Sequence, residues 1–168
     1  MKIMVAVDGS ECSRDAVDFI AERAWKNDDE FMIVTVVEPI PTEYGLGLVL
    51  DGNEFTQEHR DASELVANLG LILREELPAN NSDAKVLSGL VVEQICQWAR
   101  VWGADLIVMG SHGRKGFQHF MLGSVAEEVL RTAPCTVEVV KHRKHFKDSK
   151  QLESDKQLAA SSKEKGNE

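Results

Sequence analysis

Short apolar runs rich in β-branched residues alternate along this chain with longer runs whose apolar residues recur at helical spacing. "KIMVAVD" (2–8), "FMIVTVV" (31–37), "DLIVMG" (105–110) and "CTVEVVK" (135–141) read as strands, and "AKVLSG" (84–89) as a shorter, weaker one. After the first strand, Ser10 is placed to cap a helix with Glu11 in its first turn, and Ala16, Val17, Ile20 and Ala24 follow at helical spacing. Residues 56–77 carry Ala62, Leu65, Val66, Leu69, Leu73 and Leu77 on one face. Val92, Ile95, Cys96, Ala99 and Trp102 define a third helix that Gly103 can end, and "SVAEEVLRTA" a fourth that stops at Pro134. Residues 38–53 read as a long loop, and "PANNSD" as a turn cluster.

Alternating strands and helices specify an α/β fold, here an open five-stranded parallel sheet with helices on both faces and right-handed crossovers. Ligands of such sheets bind beyond the carboxyl ends of the strands, where the strand order reverses. Strand order 3-2-1-4-5 lines that crevice with "DGS" after the first strand and "GSHGRKG" after the fourth. The order 2-1-3-4-5 would need a substantial loop after the third strand, where only "SGLVVE" stands. The expected order is therefore 3-2-1-4-5, which is Rossmann-like.

A length of 168 residues suits one domain with a proper core. No apolar run is long enough to cross a bilayer, and "MKIMVAVDGS" enters the first strand directly, so no signal peptide is expected. Cys12, Cys96 and Cys135 are odd in number and widely spaced, which disfavours a disulfide framework or zinc site and suits a cytoplasmic location. A formal charge of −9 argues against nucleic acid or an anionic membrane as partner. Residues 1–142 are expected to form the domain. Residues 143–168 carry seven Lys/Arg, five Asp/Glu and one aromatic, Phe146, and are expected to be a polar, disordered tail.

The connection "GSHGRKGFQHFMLGS" (110–124) holds four glycines, two basic residues and two histidines. Loops of this length in compact domains are usually functional or disordered. Phosphate recognition needs close backbone approach, N–H donors and preferably a helix N-terminus. Gly110, Gly113 and Gly116 permit that approach and unusual φ values, and Gly123-Ser124 opens a helix. The competing reading of Ser124 is structural, a capping box with Glu127. Arg114 and Lys115 likewise either face an anion or merely solvate the loop. The spacing matches neither the dinucleotide-binding fingerprint nor the P-loop.

Gly110-x2-Gly113-x9-Gly123-Ser124 does resemble the G-x2-G-x9-G-[ST] signature of the universal stress protein family. "KIMVAVDGSECSRDAV", "ADLIVMGSHG" and "LGSVAEEVLRTAPCTVEVV" are similar to that family's first strand and helix, fourth strand, and closing helix and strand. The likeness covers roughly residues 1–141. It implies a regulatory module of the stress response that binds an adenine nucleotide, usually ATP, with Mg²⁺ or Mn²⁺ carried by the phosphates. Carried over by position, Asp8 would face the nucleotide and Val36 would contact adenine through its backbone. Met109 and Gly110 would lie by the ribose, and Gly113, Gly123, Ser124 and Val125 would cradle the phosphates. His112, Arg114 and Lys115 could reach phosphate, although the signature does not specify them. Binding rather than turnover is the expected activity. The resemblance permits slow ATP hydrolysis or autophosphorylation on Ser111 or Ser124, and also a member that works by protein association without nucleotide.

Family members often pair through the fifth strand, which implies a homodimer through residues 135–141. Glu138 puts a charge on that edge, a device that opposes pairing. Asp8 retains a structural alternative as an Asx-turn residue in "DGS". A serine-hydrolase reading of Ser124 and His112 lacks the nucleophile elbow. His112 and His119 lack partners at metal-ligand spacing. Cys12 reads as a small buried hydrophobe, and Trp25, Trp98 and Trp102 as packing residues.

Overall fold

A computed structural model describes residues 1–38, 41–42, 45–46, 57–113 and 122–141. The main sheet contains β1 (Lys2–Ala6), β2 (Glu30–Val37), β5 (Asn81–Ser88), β6 (Leu106–Gly110) and β7 (Thr136–Val140). All pairings are parallel and the order is β5-β2-β1-β6-β7. In terms of the five principal strands this is 3-2-1-4-5, as expected. A small antiparallel pair, β3 (Pro41–Thr42) and β4 (Gly45–Leu46), stands within the segment read as a loop.

Helices α1 (Glu11–Ala21) and α2 (Gln57–Glu76) cover one face, and α3 (Val91–Trp102) and α4 (Ser124–Thr132) the other. The pleat sorts the strand residues between two cores. Ile3, Val5, Phe31, Ile33 and Val108 meet Val17, Ile20, Leu69 and Leu73 on the first face. Met4, Met32, Val34, Ile107 and Met109 meet Ile95, Ala99, Ala126 and Val129 on the second. Trp25 packs edge-on to Phe31 in the first core, and Trp98 and Trp102 flank the second. Cys12 is buried. Among the described residues, no helix is long and apolar enough to cross a membrane.

Two boundaries differ from the sequence reading. β5 begins at Asn81, inside the expected turn cluster, because all eight residues of β2 offer it a parallel partner from Glu30↔Asn81 to Val37↔Ser88. As an edge strand with alternate residues exposed, it accommodates the polar residues that disguised it. α1 stops at Ala21, so Ala24 is exposed rather than on the buried stripe. The Trp25 indole N–H donates to the Ile20 carbonyl at 2.8 Å, joining the Arg23 N–H at 3.3 Å on a carbonyl of the last helical turn.

At the amino end of β2, Asp29 accepts hydrogen bonds from the Met1 amino group at 2.6 Å and the Lys26 N–H at 2.9 Å. These contacts, the Met1 ammonium foremost, hold its carboxyl below the ordinary range. A depressed folded-state pKa contributes stability above the unfolded value and loses it as pH falls through the folded one. Asp29→Asn is therefore expected to destabilise the protein at neutral pH, with the deficit shrinking below about pH 4. Denaturant melts across pH measure this, and a deficit that persists undiminished into acid would exclude the account.

At the opposite end of the sheet, Gly110 lies against the first turn of α1. A Cβ there would sit 2.6 Å from the Cys12 carbonyl carbon and 2.7 Å from its oxygen. Gly110→Ala is expected to cost about 1–3 kcal/mol in chemical denaturation, because backbone cannot move aside as a flexible side chain does. A change under a few tenths of a kcal/mol would show that α1 yields freely.

Candidate functional site

β1 is followed leftward by β2 and β5 and, on its other side, by β6 and β7, so the order reverses between β1 and β6. The segments leaving these two strands meet there. Asp8-Gly9-Ser10 leaves β1, and Ser111-His112-Gly113 leaves β6. Asp8 Oδ1 accepts the Ser10 N–H at 3.0 Å, so the Asx-turn reading of Asp8 is realised. Its other oxygen is not remote from the crevice: a Cβ on Gly113 would fall 2.7 Å from Asp8 Oδ2. Asp8 thus serves the turn with one oxygen and abuts the second glycine with the other.

The Ser10 hydroxyl accepts the Ser13 N–H at 3.2 Å, capping α1 as expected. It also donates to the His112 carbonyl at 3.2 Å, a bridge across the reversal point that the sequence reading missed. No spacing rule signals a contact between residues so far apart in the chain. On the β6 side, the Ser111 N–H donates to the Val140 carbonyl at 2.7 Å, extending the β6–β7 ladder by one residue. The Ser111 hydroxyl lies 3.0 Å from His112 Nδ1. Ser111 is only 2% exposed, so it is a poor candidate for the acceptor role suggested for it. The His112 Nε2 atom is buried and has no hydrogen-bond partner among the described residues.

Gly123 closes the other wall. Its N–H donates to the Ser111 carbonyl at 2.9 Å, and a Cβ there would lie 3.1 Å from that oxygen and 3.4 Å from the His112 Cα. Positive φ among the described glycines belongs to Gly9, Gly89 and Gly103. The expected need for unusual φ at Gly110 and Gly113 is thus not met. They and Gly123 are required by space: backbone runs where a side chain on Gly110 or Gly123 would stand, and the Asp8 carboxylate where one on Gly113 would. Gly116, Arg114, Lys115 and His119 lie outside the described residues.

The capping box that stood as the structural alternative for Ser124 does not form. The N-cap of α4 is Gly123, no side chain caps the helix, and Ser124 is its first residue, exposed to solvent. The first intrahelical bond runs from the Glu127 N–H to the Gly123 carbonyl. The N–H groups of Ser124, Val125 and Ala126 precede it and lack helical acceptors. Three donors and the positive end of the helix dipole therefore open beside Gly113 and Gly123. Glu127 forms an exposed ion pair with Arg131 one turn on, which tempers its charge near the helix start.

Val36 sits near the carboxyl end of β2, two residues beyond the last β2 residue paired with β1. The Val34 carbonyl accepts the Val7 N–H at 2.9 Å, and the Val37 carbonyl, facing β5, accepts the Gly89 N–H at 3.1 Å. By alternation the backbone polar groups of Val36 turn towards β1, past the point where that strand has ended. Met109 is 5% exposed, with its side chain in the second core, so it can offer a ligand only backbone. Val125 packs its side chain on the same core. Among the described residues, no three His, Cys, Asp or Glu side chains cluster as a metal site. The arrangement thus suits an anion held mainly by backbone N–H groups.

Over most of its length the chain is similar to known proteins. Residues 1–141 match the model of the universal stress protein family. A universal stress protein of Methanocaldococcus jannaschii is 31% identical over 153 residues, spanning 85% of this chain and 83% of its own length. A universal stress protein from Archaeoglobus fulgidus, solved in complex with dAMP, is 23% identical with a TM-score of 0.54, over 84% of this chain and 98% of its own. A universal stress protein family protein from Arabidopsis thaliana, solved with AMP bound, is 19% identical with a TM-score of 0.60, over 90% of this chain and 99% of its own. These two structures share the fold, and the family match runs from the first strand to the last. The chain belongs to the universal stress protein family.

Proposed function

We propose that this protein binds an adenine nucleotide, ATP foremost, at the β1–β6 reversal and acts as a nucleotide-responsive regulatory module. The observation that carries the reading is the uncapped N-terminus of α4, which opens where Gly123 packs on the main chain of Ser111 and His112 and Gly113 abuts Asp8. Phosphates would take the N–H groups of Gly113, Ser124 and Val125, with the Ser124 hydroxyl beside them. Asp8 would face the nucleotide from the β1 side. The backbone of Val36 would meet the adenine edge, and the backbone at Met109 and Gly110 would lie by the ribose. His112 and Arg114 would complete the phosphate side. The AMP and dAMP complexes of the Arabidopsis and Archaeoglobus proteins support the choice of adenine nucleotide.

An accompanying Mg²⁺ or Mn²⁺ would be held largely by phosphate and water, with the Asp8 carboxylate at the crevice wall beside Gly113. Ser124 remains the exposed hydroxyl for any slow autophosphorylation. A homodimer through β7 is also consistent with the reading. The Glu138 carboxylate is held at 3.1 Å by Nη1 of Arg23, just beyond α1, which offsets the charge expected to oppose pairing at this edge.

Calorimetric titration of ATP with Mg²⁺ into the wild type and Ser124→Asp tests the proposal. An acidic residue at the first position of a helix favours the dipole, so the variant is expected to keep or raise its thermal midpoint, by about 1–3 °C. The same charge would repel phosphate and should weaken ATP binding at least about tenfold. A wild type that takes up no ATP, with no nucleotide copurifying, would end this reading in favour of protein association alone.

A further inference from the structure

We propose that Ser10 is a positioning residue for the nucleotide cradle, holding the His112–Gly113 peptide in the orientation that offers the Gly113 N–H to a phosphate. The inference rests on the nucleotide reading above. A serine hydroxyl has one proton to give and two lone pairs to receive. Ser10 receives the Ser13 N–H with one lone pair at 3.2 Å and gives its proton to the His112 carbonyl at 3.2 Å. Ser10 is itself fixed, because its N–H donates to Asp8 Oδ1 at 3.0 Å and its carbonyl accepts the Ser13 hydroxyl at 2.9 Å. The bridge therefore starts from an anchored residue.

A trans peptide carries its carbonyl and N–H on opposite sides, and the described chain contains no cis bond. With the His112 carbonyl drawn to the β1 segment, the Gly113 N–H turns away from it, towards the α4 side. Gly123 borders that side: the Gly113 nitrogen lies 3.9 Å from where a Cβ on Gly123 would stand. The open N–H groups of α4 begin at the next residue. Rotation of this peptide would point the carbonyl oxygen at the same place and repel an anion. Glycine after the peptide bond is the residue that tolerates both orientations of a turn peptide. The sequence thus leaves Gly113 free to turn, and Ser10 supplies the restraint. The Ser111–His112 side-chain contact holds the imidazole, not the peptide.

The test compares wild type, Ser10→Gly and Ser10→Thr by ATP–Mg²⁺ calorimetry, thermal melting and amide NMR of Gly113 without ligand. Glycine is nearly as good an N-cap as serine, so Ser10→Gly is expected to melt close to the wild type. It should nevertheless bind ATP about tenfold more weakly, with a shifted and faster-exchanging Gly113 amide. Threonine keeps the hydroxyl and should restore both readouts. Unchanged ATP affinity in Ser10→Gly overturns the proposal, whatever its Gly113 amide does. If the wild type itself binds no ATP, the nucleotide reading falls and the amide decides the restraint: an unchanged Gly113 signal in Ser10→Gly refutes it, and a shifted one restored by threonine upholds it.

Discussion

Everything at the carboxyl end of this sheet depends on main chain running against main chain. The first turn of α1 crosses the end of β6 so closely that Gly110 has no room for a single methyl group. That approach seats Ser10 within reach of His112, and Gly123 repeats the device by packing on Ser111 and His112. Any side chain at these points would wedge the two loops apart. The site is defined by omitted volume more than by reactive groups.

The omission explains how much could be read from the sequence. Parallel topology follows from alternating runs such as "FMIVTVV" and the Leu65–Leu73 stripe, because burial on one face or two leaves distinct periodicities. The strand order was legible because the glycines mark where loops, rather than packed side chains, meet. β5 was shortened in the reading because an edge strand needs only one buried face, and Asn81–Asp83 look like turn residues without β2 beside them. Ser124 was ambiguous for a different reason. Serine before an apolar run with Glu127 three residues on suits a capping box, and only the fold sets the cap one residue earlier, on Gly123. The Ser10–His112 bridge joins residues 102 apart in the chain, a contact that only folding creates.

Electrostatics favours a compact anion here despite a formal charge of −9. Long-range repulsion from dispersed surface carboxylates is screened within about 10 Å at ordinary ionic strength. The open N–H groups at the start of α4 act on a ligand at contact distance, where screening is least. The acidic exterior then discourages polyanions such as nucleic acid, while a phosphate small enough to reach the N–H groups of α4 still finds a positive surface.

The bare N-terminus of α4 has a thermodynamic consequence. A serine or aspartate side chain at that cap would satisfy one of the open N–H groups permanently and without regard to surroundings. With Gly123 there, no side chain does so and the N–H groups are left to be satisfied from outside. In the proposed complex the ligand is the cap, and the helix is finished only while the site is filled. The protein's resistance to unfolding then becomes a gauge of how much ligand surrounds it, rising with the logarithm of concentration above the dissociation constant. Such a chain senses its ligand through its own durability, with no second conformation required.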